Sequence, residues 1–259
     1  MRPRALILAL EGPSGSGKTT IARAAAERFG WTFLPEAYDR LRRRPSLAFR
    51  SDRALLAIER RLLAEERRRF AEARSLRARG RTVVADTGFL GPLTYSAGLV
   101  ATGAASPGPW RALRTSIGPG RKRAPLGLPD LTVYLDLPRA ARRARVARDP
   151  TGHPPSLARR HESIGEFERR FYREDYAVLL PGRLCFVPAS GPPSAVADRI
   201  LRSVGATRPM GGTGPQYRPL VDRLDARVSG ADPGATSAWT RRAAVPEEGH
   251  QRRETPAAR

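Results

Sequence analysis

The sequence predicts an α/β protein in which helices cover both faces of a mainly parallel five-stranded sheet, a three-layer sandwich. Two observations lead to this prediction. Short apolar runs alternate along the chain with segments of helical periodicity, which is the pattern of parallel strands joined by helical crossovers. In addition, a glycine-rich loop joins the first apolar run to the first helical segment, the arrangement found where a sheet binds phosphate.

Each strand and helix can be assigned from the apolar pattern. Strands are expected at 5–10, 31–34, 82–85, 131–135 and 184–187. Helices are expected at 20–29, 51–79, 90–100, 139–148, 156–180 and 194–204, with a Gly/Pro-rich segment at 103–129. Ser51 is a good helix N-cap, and Gly30 and Gly80 end the first two helices because glycine tolerates the left-handed conformation found there.

The long helix 51–79 is predicted to be amphipathic. Leu56, Leu63 and Phe70 recur at seven-residue steps beside Leu62 and Ala73 and form one apolar face. The opposite face is expected to be solvated and to form ion pairs between successive turns, through the arginines and Glu59, Glu65, Glu66 and Glu72.

One folded domain is expected over residues 1–204. From Gly205 onward the sequence is rich in Gly, Pro, Thr and Arg and has no apolar periodicity. Such a segment buries too little surface to offset the entropy lost on ordering. We therefore expect a disordered tail at 205–259.

The charge balance is strongly basic, with a net charge of +22. The chain contains two lysines and 45 arginines, and the arginines are spread over every segment. Without a zinc-finger spacing, an RNA-binding strand signature or a basic zipper, no specific nucleic-acid partner is expected. No apolar run approaches the roughly 20 residues of a membrane-spanning helix, so we expect a cytoplasmic protein that does not contact a membrane.

The strongest functional signal lies between the first strand and the first helix, where residues 12–19 follow the pattern G-x-x-x-x-G-K-T. Glycines let successive backbone N–H groups converge on an anion at a helix N-terminus. Lys18 can reach the β- and γ-phosphates as a flexible point charge. ATP is therefore expected on Gly12, Pro13, Ser14, Gly15, Ser16, Gly17, Lys18, Thr19 and Thr20.

A magnesium ion is expected beside this loop. Thr19 can place its hydroxyl on Mg²⁺, and Asp86 ends the third strand at the edge where open α/β sheets bind ligands. The alternative is that Asp86 only caps a turn. Asp136 ends the fourth strand in a similar way, but Pro138 follows it and a turn is sufficient to explain it.

These segments together resemble thymidylate kinases and the related deoxynucleoside kinases. The likeness extends over residues 4–204 and rests on the P-loop, on 83–86, on 129–136 and on 167–176. It implies a P-loop NTPase fold with an arginine-bearing helical lid. It also implies ATP and Mg²⁺ as co-substrates and transfer of the γ-phosphoryl group to a nucleoside or nucleoside monophosphate.

Candidate catalytic residues follow from the motif and the resemblance: Lys18, Glu36, Asp86, Arg142 and Arg145. Glu36 matches the glutamate that takes a proton from the accepting hydroxyl in deoxynucleoside kinases, and the alternative is a solvent-exposed glutamate after a proline. Arg142, Arg145 and Arg148 are three residues apart on one helix face. Members of this set are expected to contact the ATP phosphates from the lid.

Two departures from the family pattern concern the substrate side. Thymidylate kinases usually carry an acidic residue where this chain has Ser14, and both families usually place arginine after the acid of the third strand, where this chain has Thr87-Gly88. The expected function is an ATP-dependent small-molecule kinase of a nucleoside or nucleotide. Two alternatives stay open: a kinase of another hydroxyl compound such as an antibiotic, and an ATP-hydrolysing regulatory switch. The sequence leaves the oligomeric state open, including a homodimer.

Overall fold

The computed structural model describes residues 5–46, 49, 51–117, 126–148, 155–206 and 217–230. Five parallel strands form one sheet in the order β2-β3-β1-β4-β5. The strands are β1 Ile7–Glu11, β2 Thr32–Leu34, β3 Val83–Asp86, β4 Leu131–Asp136 and β5 Leu184–Pro188. The predicted parallel α/β sheet is confirmed.

The helices are α1 Lys18–Phe29, α2 Ala37–Arg40, α3 Asp52–Ala78, α4 Gly91–Ala101, α5 Pro107–Arg114, α6 Arg139–Ala147, α7 Pro155–Arg170, α8 Ala177–Leu179, α9 Pro193–Ala206 and α10 Tyr217–Val228. A 3₁₀ turn at Thr115–Ile117 follows α5, and a π-helical turn at Phe171–Tyr176 joins α7 to α8. None of the helices within the described residues has the length and apolar character needed to cross a bilayer.

Alternating residues of the central strand build the two layers of the core. Leu8 and Leu10 face α1 and α9, in a cluster with Ile21 and Ile200. Residues of β1 that point the other way pack toward the second half of α3. This two-residue period is that of a strand buried on both faces, and it explains why all five residues of β1 are buried.

Helix α3 differs from the amphipathic helix that the sequence predicted. Its N-cap is Ser51, whose hydroxyl accepts a hydrogen bond from the Ala54 N–H at 3.2 Å, as expected. The predicted ion pairs within the helix are present and Glu72 is exposed, but the prediction of a solvated face is wrong for Glu59, Glu65 and Glu66, which are buried together with Arg69. The helix packs against α2, α4, α5 and the sheet, so that it has contacts on more than one face.

Two segments contain structure that the sequence pattern did not reveal. Helix α5 lies within the Gly/Pro-rich stretch, and its N-cap is Ser106, whose hydroxyl accepts a hydrogen bond from the Gly108 N–H. The helix predicted at 156–180 is instead three elements, because the π-helical turn interrupts it. Two of the buried aromatic residues of this turn, Tyr172 and Tyr176, contact each other and lie in the core.

Helix α10 corrects the domain boundary expected at 204. Leu220, Val221 and Leu224 are buried in the same cluster as Trp110 and Tyr172. Asp225 accepts a hydrogen bond from the Trp110 indole at 2.9 Å, and Arg227 pairs with Asp175 of the π-helical turn. Helix α10 is therefore attached to the domain by both apolar packing and polar contacts. Residues 207–216 and 231–259 lie outside the described residues.

The contribution of α10 to stability can be measured with one core substitution. Leu224→Ala should lower the free energy of unfolding by about 2–5 kcal/mol, because it leaves a cavity at a fully buried leucine. The control Arg218→Ala removes an exposed side chain of the same helix and should change it by at most about 0.5 kcal/mol. Equal, small effects in urea denaturation would show that α10 is not part of the domain.

Candidate phosphate-binding site

The glycine-rich loop connects the end of β1 to the start of α1. Gly17 caps α1 in a left-handed conformation with φ 91°, and Gly15 has φ 81°. At Gly15 a methyl group would also lie 2.6 Å from Cγ2 of Val146, so both backbone angle and space require glycine. The Nζ of Lys18 donates to the Gly12 carbonyl at 2.7 Å, which holds the ammonium over the loop.

Carboxylates line the sheet edge next to this loop, because successive parallel strands end there in acidic residues. Glu36 follows β2, Asp86 ends β3 and Glu11 ends β1, so the three carboxylates follow the order of the strands. Asp136 ends β4, and Arg169 and Arg173 pair with it at 3.0 and 2.9 Å. These two ion pairs are sufficient to explain an acidic residue at position 136, so no role in ligand binding is assigned to Asp136.

Asp86 is the carboxylate best suited to a metal ion. It is fully buried, and neither of its oxygens lies within hydrogen-bond geometry of another described group. Burial raises the pKa of Asp86, whereas the nearby Thr19 hydroxyl and Lys18 ammonium lower it. An unsatisfied buried carboxylate next to a threonine hydroxyl is a hard oxygen donor pair that fits Mg²⁺.

Glu11 is a buried residue of this site that the sequence pattern did not single out. Its Oε1 accepts hydrogen bonds from the Tyr172 hydroxyl at 2.7 Å and from the Gly88 N–H at 3.0 Å. A methyl group at Gly88 would lie 2.1 Å from the same oxygen. A side chain at position 88 would therefore push the Glu11 carboxylate away from its present hydrogen bonds.

Glu36 is held in place from the turn after β3. The Thr87 hydroxyl donates to Oε2 of Glu36 at 3.2 Å, and burial followed by repulsion from Asp86 raises the pKa of Glu36. Thr87 has φ 65°, an unusual conformation for a β-branched residue. Buried Arg69 of α3 supports this turn, because its guanidinium donates to the carbonyls of Asp86 at 2.7 Å and Thr87 at 3.2 Å.

Of the three arginines expected in the lid, two lie against the loop. Arg142 is buried, and its Cγ would lie 3.4 Å from a methyl group at Gly15. Arg145 donates to the Ser16 carbonyl at 3.0 Å and to the Ala189 carbonyl at 2.8 Å, and so bridges the loop to the segment after β5. Arg148 is exposed at the end of α6; residues 149–154 lie outside the described residues.

A cavity of about 300 Å³ adjoins the loop on the side of Arg145. It is lined by Gly17, Thr20, Ile21, Arg145, Ala189, Gly191 and Pro193. It lies beside the first turn of α1, and its apolar side chains and guanidinium suit a planar ring attached to a phosphate chain.

Glu168 of α7 is a further, half-buried carboxylate that the sequence pattern missed. The Thr94 hydroxyl lies 3.4 Å from its Oε1, and burial raises the pKa of Glu168 to about 7. Glu11 adds to this rise and Lys18 opposes it, so both charges act on Glu168. The sequence marks these residues only by their position. Glu11 ends the strand before the loop, and Glu168 and Tyr172 lie in the run 167–176 that resembles the kinase family.

Replacing Asp86 tests whether the strand-end carboxylate supports a metal. Asp86→Asn should weaken the affinity for Mg²⁺·ATP about 10- to 100-fold and change the affinity for ATP in EDTA little, because only the metal contact is lost. Asp136→Asn is the matched control, since it removes a strand-end carboxylate that arginines occupy. Identical magnesium dependence in Asp86→Asn and wild type, measured by calorimetry, would contradict the metal assignment.

Comparisons with known proteins concern the fold of the chain. A family profile described as an AAA domain matches residues 8–115. No curated protein matches the chain. A solved deoxyadenosine kinase from M. mycoides, with the products dCMP and dCDP bound, aligns with a TM-score of 0.59 and 14% identity over 77% of this chain and 99% of that chain.

The same kinase with bound dATP aligns with a TM-score of 0.57 at 13% identity, over the same shares of the two chains. At these identities the likeness concerns the fold, and the resemblance to P-loop nucleoside kinases that the sequence predicted is confirmed at that level. The chain has the P-loop nucleoside kinase fold.

Proposed function

We propose that this protein is an ATP-dependent kinase that transfers the γ-phosphoryl group to a hydroxyl of a nucleoside-like small molecule. One observation carries the proposal: Glu36 and Asp86 lie at the ends of neighbouring strands beside the loop that carries Lys18. A hydrolase or switch protein needs the loop and the metal carboxylate. A second carboxylate at this edge suits a reaction in which an acceptor hydroxyl must lose a proton.

ATP would bind with its phosphates on residues 12–20 and its base in the 300 Å³ cavity beside Arg145. Lys18 would contact the β- and γ-phosphates. Arg142, which burial keeps close to Gly15, would stabilise the charge that spreads over the transferred group. Arg145 already bonds two backbone carbonyls, so we assign it to positioning the loop and the base. Arg148, exposed at the end of the lid helix, would contact the phosphates only with the lid closed.

Magnesium would be held by the Thr19 hydroxyl and by Asp86, directly or through a water molecule. When bound, the ion neutralises the charge that develops between the β- and γ-phosphates. The protein supplies the geometry, because Arg69 fixes the backbone at Asp86 and Thr87 from behind.

Glu36 would act as the base. Its carboxylate takes the proton from the acceptor hydroxyl while that oxygen forms a bond to the γ-phosphorus, and the bond from phosphorus to the β-phosphate oxygen breaks to release ADP. The Thr87 hydroxyl orients the Glu36 carboxylate. The raised pKa of Glu36 makes this carboxylate a better proton acceptor than an ordinary glutamate.

The charge around the acceptor side favours an uncharged acceptor over a monophosphate. Glu11, Glu36 and Glu168 all lie around Lys18, and burial raises the pKa of each carboxylate. Arg69 is buried at the end of β3, and both of its terminal nitrogens are already bonded, one to Glu66 and the other to the backbone. A solved structure of similar fold is a deoxyadenosine kinase with bound dATP, which supports a nucleoside over thymidylate as the acceptor class.

Acceptor-dependent release of ADP tests this proposal. The protein is incubated with Mg²⁺·ATP and, separately, with nucleosides, nucleoside monophosphates and aminoglycoside- or chloramphenicol-like alcohols. ADP release that requires a nucleoside, together with the matching monophosphate product, supports a nucleoside kinase. Release stimulated only by the alcohols indicates a kinase of another hydroxyl compound, and release without any acceptor indicates a hydrolysing switch.

Glu36→Gln tests the assignment of the base. The variant should lose about 10²- to 10⁴-fold in kcat, because no group takes the proton, and its affinity for ATP should stay within about twofold. The wild-type rate should fall as the pH decreases through the raised pKa of Glu36, above the ordinary value of 4.5, because the base must be ionised. Equal loss of ATP affinity and turnover would count against Glu36, and Glu72→Gln, an exposed glutamate on α3, is the control.

A further inference from the structure

Helix α6, which carries the lid arginines, is attached to the rest of the domain mainly through polar side-chain contacts. None of its described residues belongs to the buried apolar clusters that join the sheet to its flanking helices. Val146 touches the glycine-rich loop at Gly15, and Arg145 donates to two backbone carbonyls. The position of this helix therefore depends on the partners of its arginines.

One carboxylate of α7, Glu162, pairs with three of these arginines. Arg139 and Arg143 both donate to its Oε1, Arg143 through Nε at 2.9 Å. Nη2 of Arg142 lies 3.8 Å from the same oxygen. Burial alone would raise the pKa of Glu162, but the hydrogen bonds from Arg139 and Arg143 lower it below its ordinary value. Because positions 139, 142 and 143 share one helix face, the three cations converge on one ionised anion and hold α6 against α7.

Arg142 occupies a different place from the other two arginines, because its guanidinium lies between the glycine-rich loop and α7. A methyl group at Gly165 would lie 2.9 Å from Nη1 of Arg142 and 2.8 Å from Cβ of Pro13. The Arg142 side chain is 10% exposed, whereas those of Arg139 and Arg143 are 68% and 61% exposed. Arg142 is therefore the member of the three that reaches the phosphate-binding loop.

The guanidinium of Arg142 has a counter-ion but no hydrogen-bond acceptor within the described part of the chain. Glu162 is close enough at 3.8 Å to offset its charge and too far away for a hydrogen bond. Burial lowers the pKa of Arg142, and the Glu162 carboxylate is the strongest charge that opposes this shift. A buried cation is costly unless an anion compensates it. Glu162 thus retains Arg142 in its buried position and leaves the N–H donors available for phosphate oxygens.

We propose that Glu162 is a positioning residue for phosphoryl transfer, which holds Arg142 against the glycine-rich loop where the γ-phosphate would bind. Its pairs with Arg139 and Arg143 fix α6, and its charge stabilises the buried Arg142 guanidinium. Glu162 itself contacts neither ATP nor the acceptor. This inference rests on the proposed kinase function and adds a residue that acts on the transferred group only through Arg142.

Glu162→Gln tests the role of the charge, because it keeps the size of the side chain. The variant should lose about 10-fold in kcat for acceptor-dependent ADP release, and its Kd for Mg²⁺·ATP should stay within about threefold, because Arg142 stabilises charge that develops during transfer. Glu166→Gln is the control. It makes the same change on α7 at an exposed carboxylate whose Oε1 lies 4.0 Å from Nε of Arg170, and it should leave kcat and Kd unchanged.

A double-mutant cycle with Arg142→Met separates positioning from a structural effect. If Glu162 acts through Arg142, the loss caused by Glu162→Gln should shrink to less than about twofold in the Arg142→Met background. A structural role would instead lower the melting temperature and reduce kcat by the same factor in both backgrounds. That equal loss, or an unchanged kcat in Glu162→Gln alone, overturns the inference.

Binding of Mg²⁺·ADP with aluminium fluoride, a mimic of the transferred phosphoryl group, distinguishes this inference from the kinase proposal. Glu162→Gln should bind this complex about 10-fold more weakly than wild type and bind Mg²⁺·ADP equally well. This result without phosphorylation of any acceptor would support the positioning role and refute the proposed reaction. Acceptor-dependent transfer at equal rates in wild type and Glu162→Gln would support the kinase and refute the positioning role.

Discussion

The site depends on the attraction between one ammonium group and the carboxylates that surround it. Parallel strands all end at the same edge, so acids at the ends of β1, β2 and β3 are brought together by the topology itself. Like charges at this spacing repel one another, and burial raises the pKa of Glu11, Glu36 and Asp86. Lys18 lowers the pKa of all three carboxyl groups and so stabilises their ionised forms.

The scaffold behind the cluster is built from buried polar contacts as much as from apolar packing. Arg69 on α3 fixes the strained turn at Thr87, and Tyr172 on the π-helical turn donates to Glu11. Helix α10 in turn holds the π-helical turn through Arg227. A π-helical turn inside a helix is common at functional sites, and here it places one tyrosine on the carboxylate that precedes the P-loop.

The parts predictable from the sequence were those with a strong local signal. Apolar runs gave the strands, because a strand buried on both faces reads as continuous apolar sequence, and glycine spacing gave the loop. The buried charges of α3 could not be predicted, since periodicity does not show that a helix is covered on several sides. Glu11 was also missed, because its importance comes from Gly88 and Tyr172, which are distant in sequence. Helix α10 was not predicted either, although its three apolar residues Leu220, Val221 and Leu224 pack into the core of the domain.

The central claim is that the loop before α1 binds a triphosphate through its backbone and Lys18. Calorimetric titration of Mg²⁺·ATP into wild type and Lys18→Met measures this directly. The account predicts saturable heat with one site in wild type and its loss in Lys18→Met, with both proteins unfolding at similar temperatures. The absence of binding in wild type, or equal binding by both proteins, would contradict it.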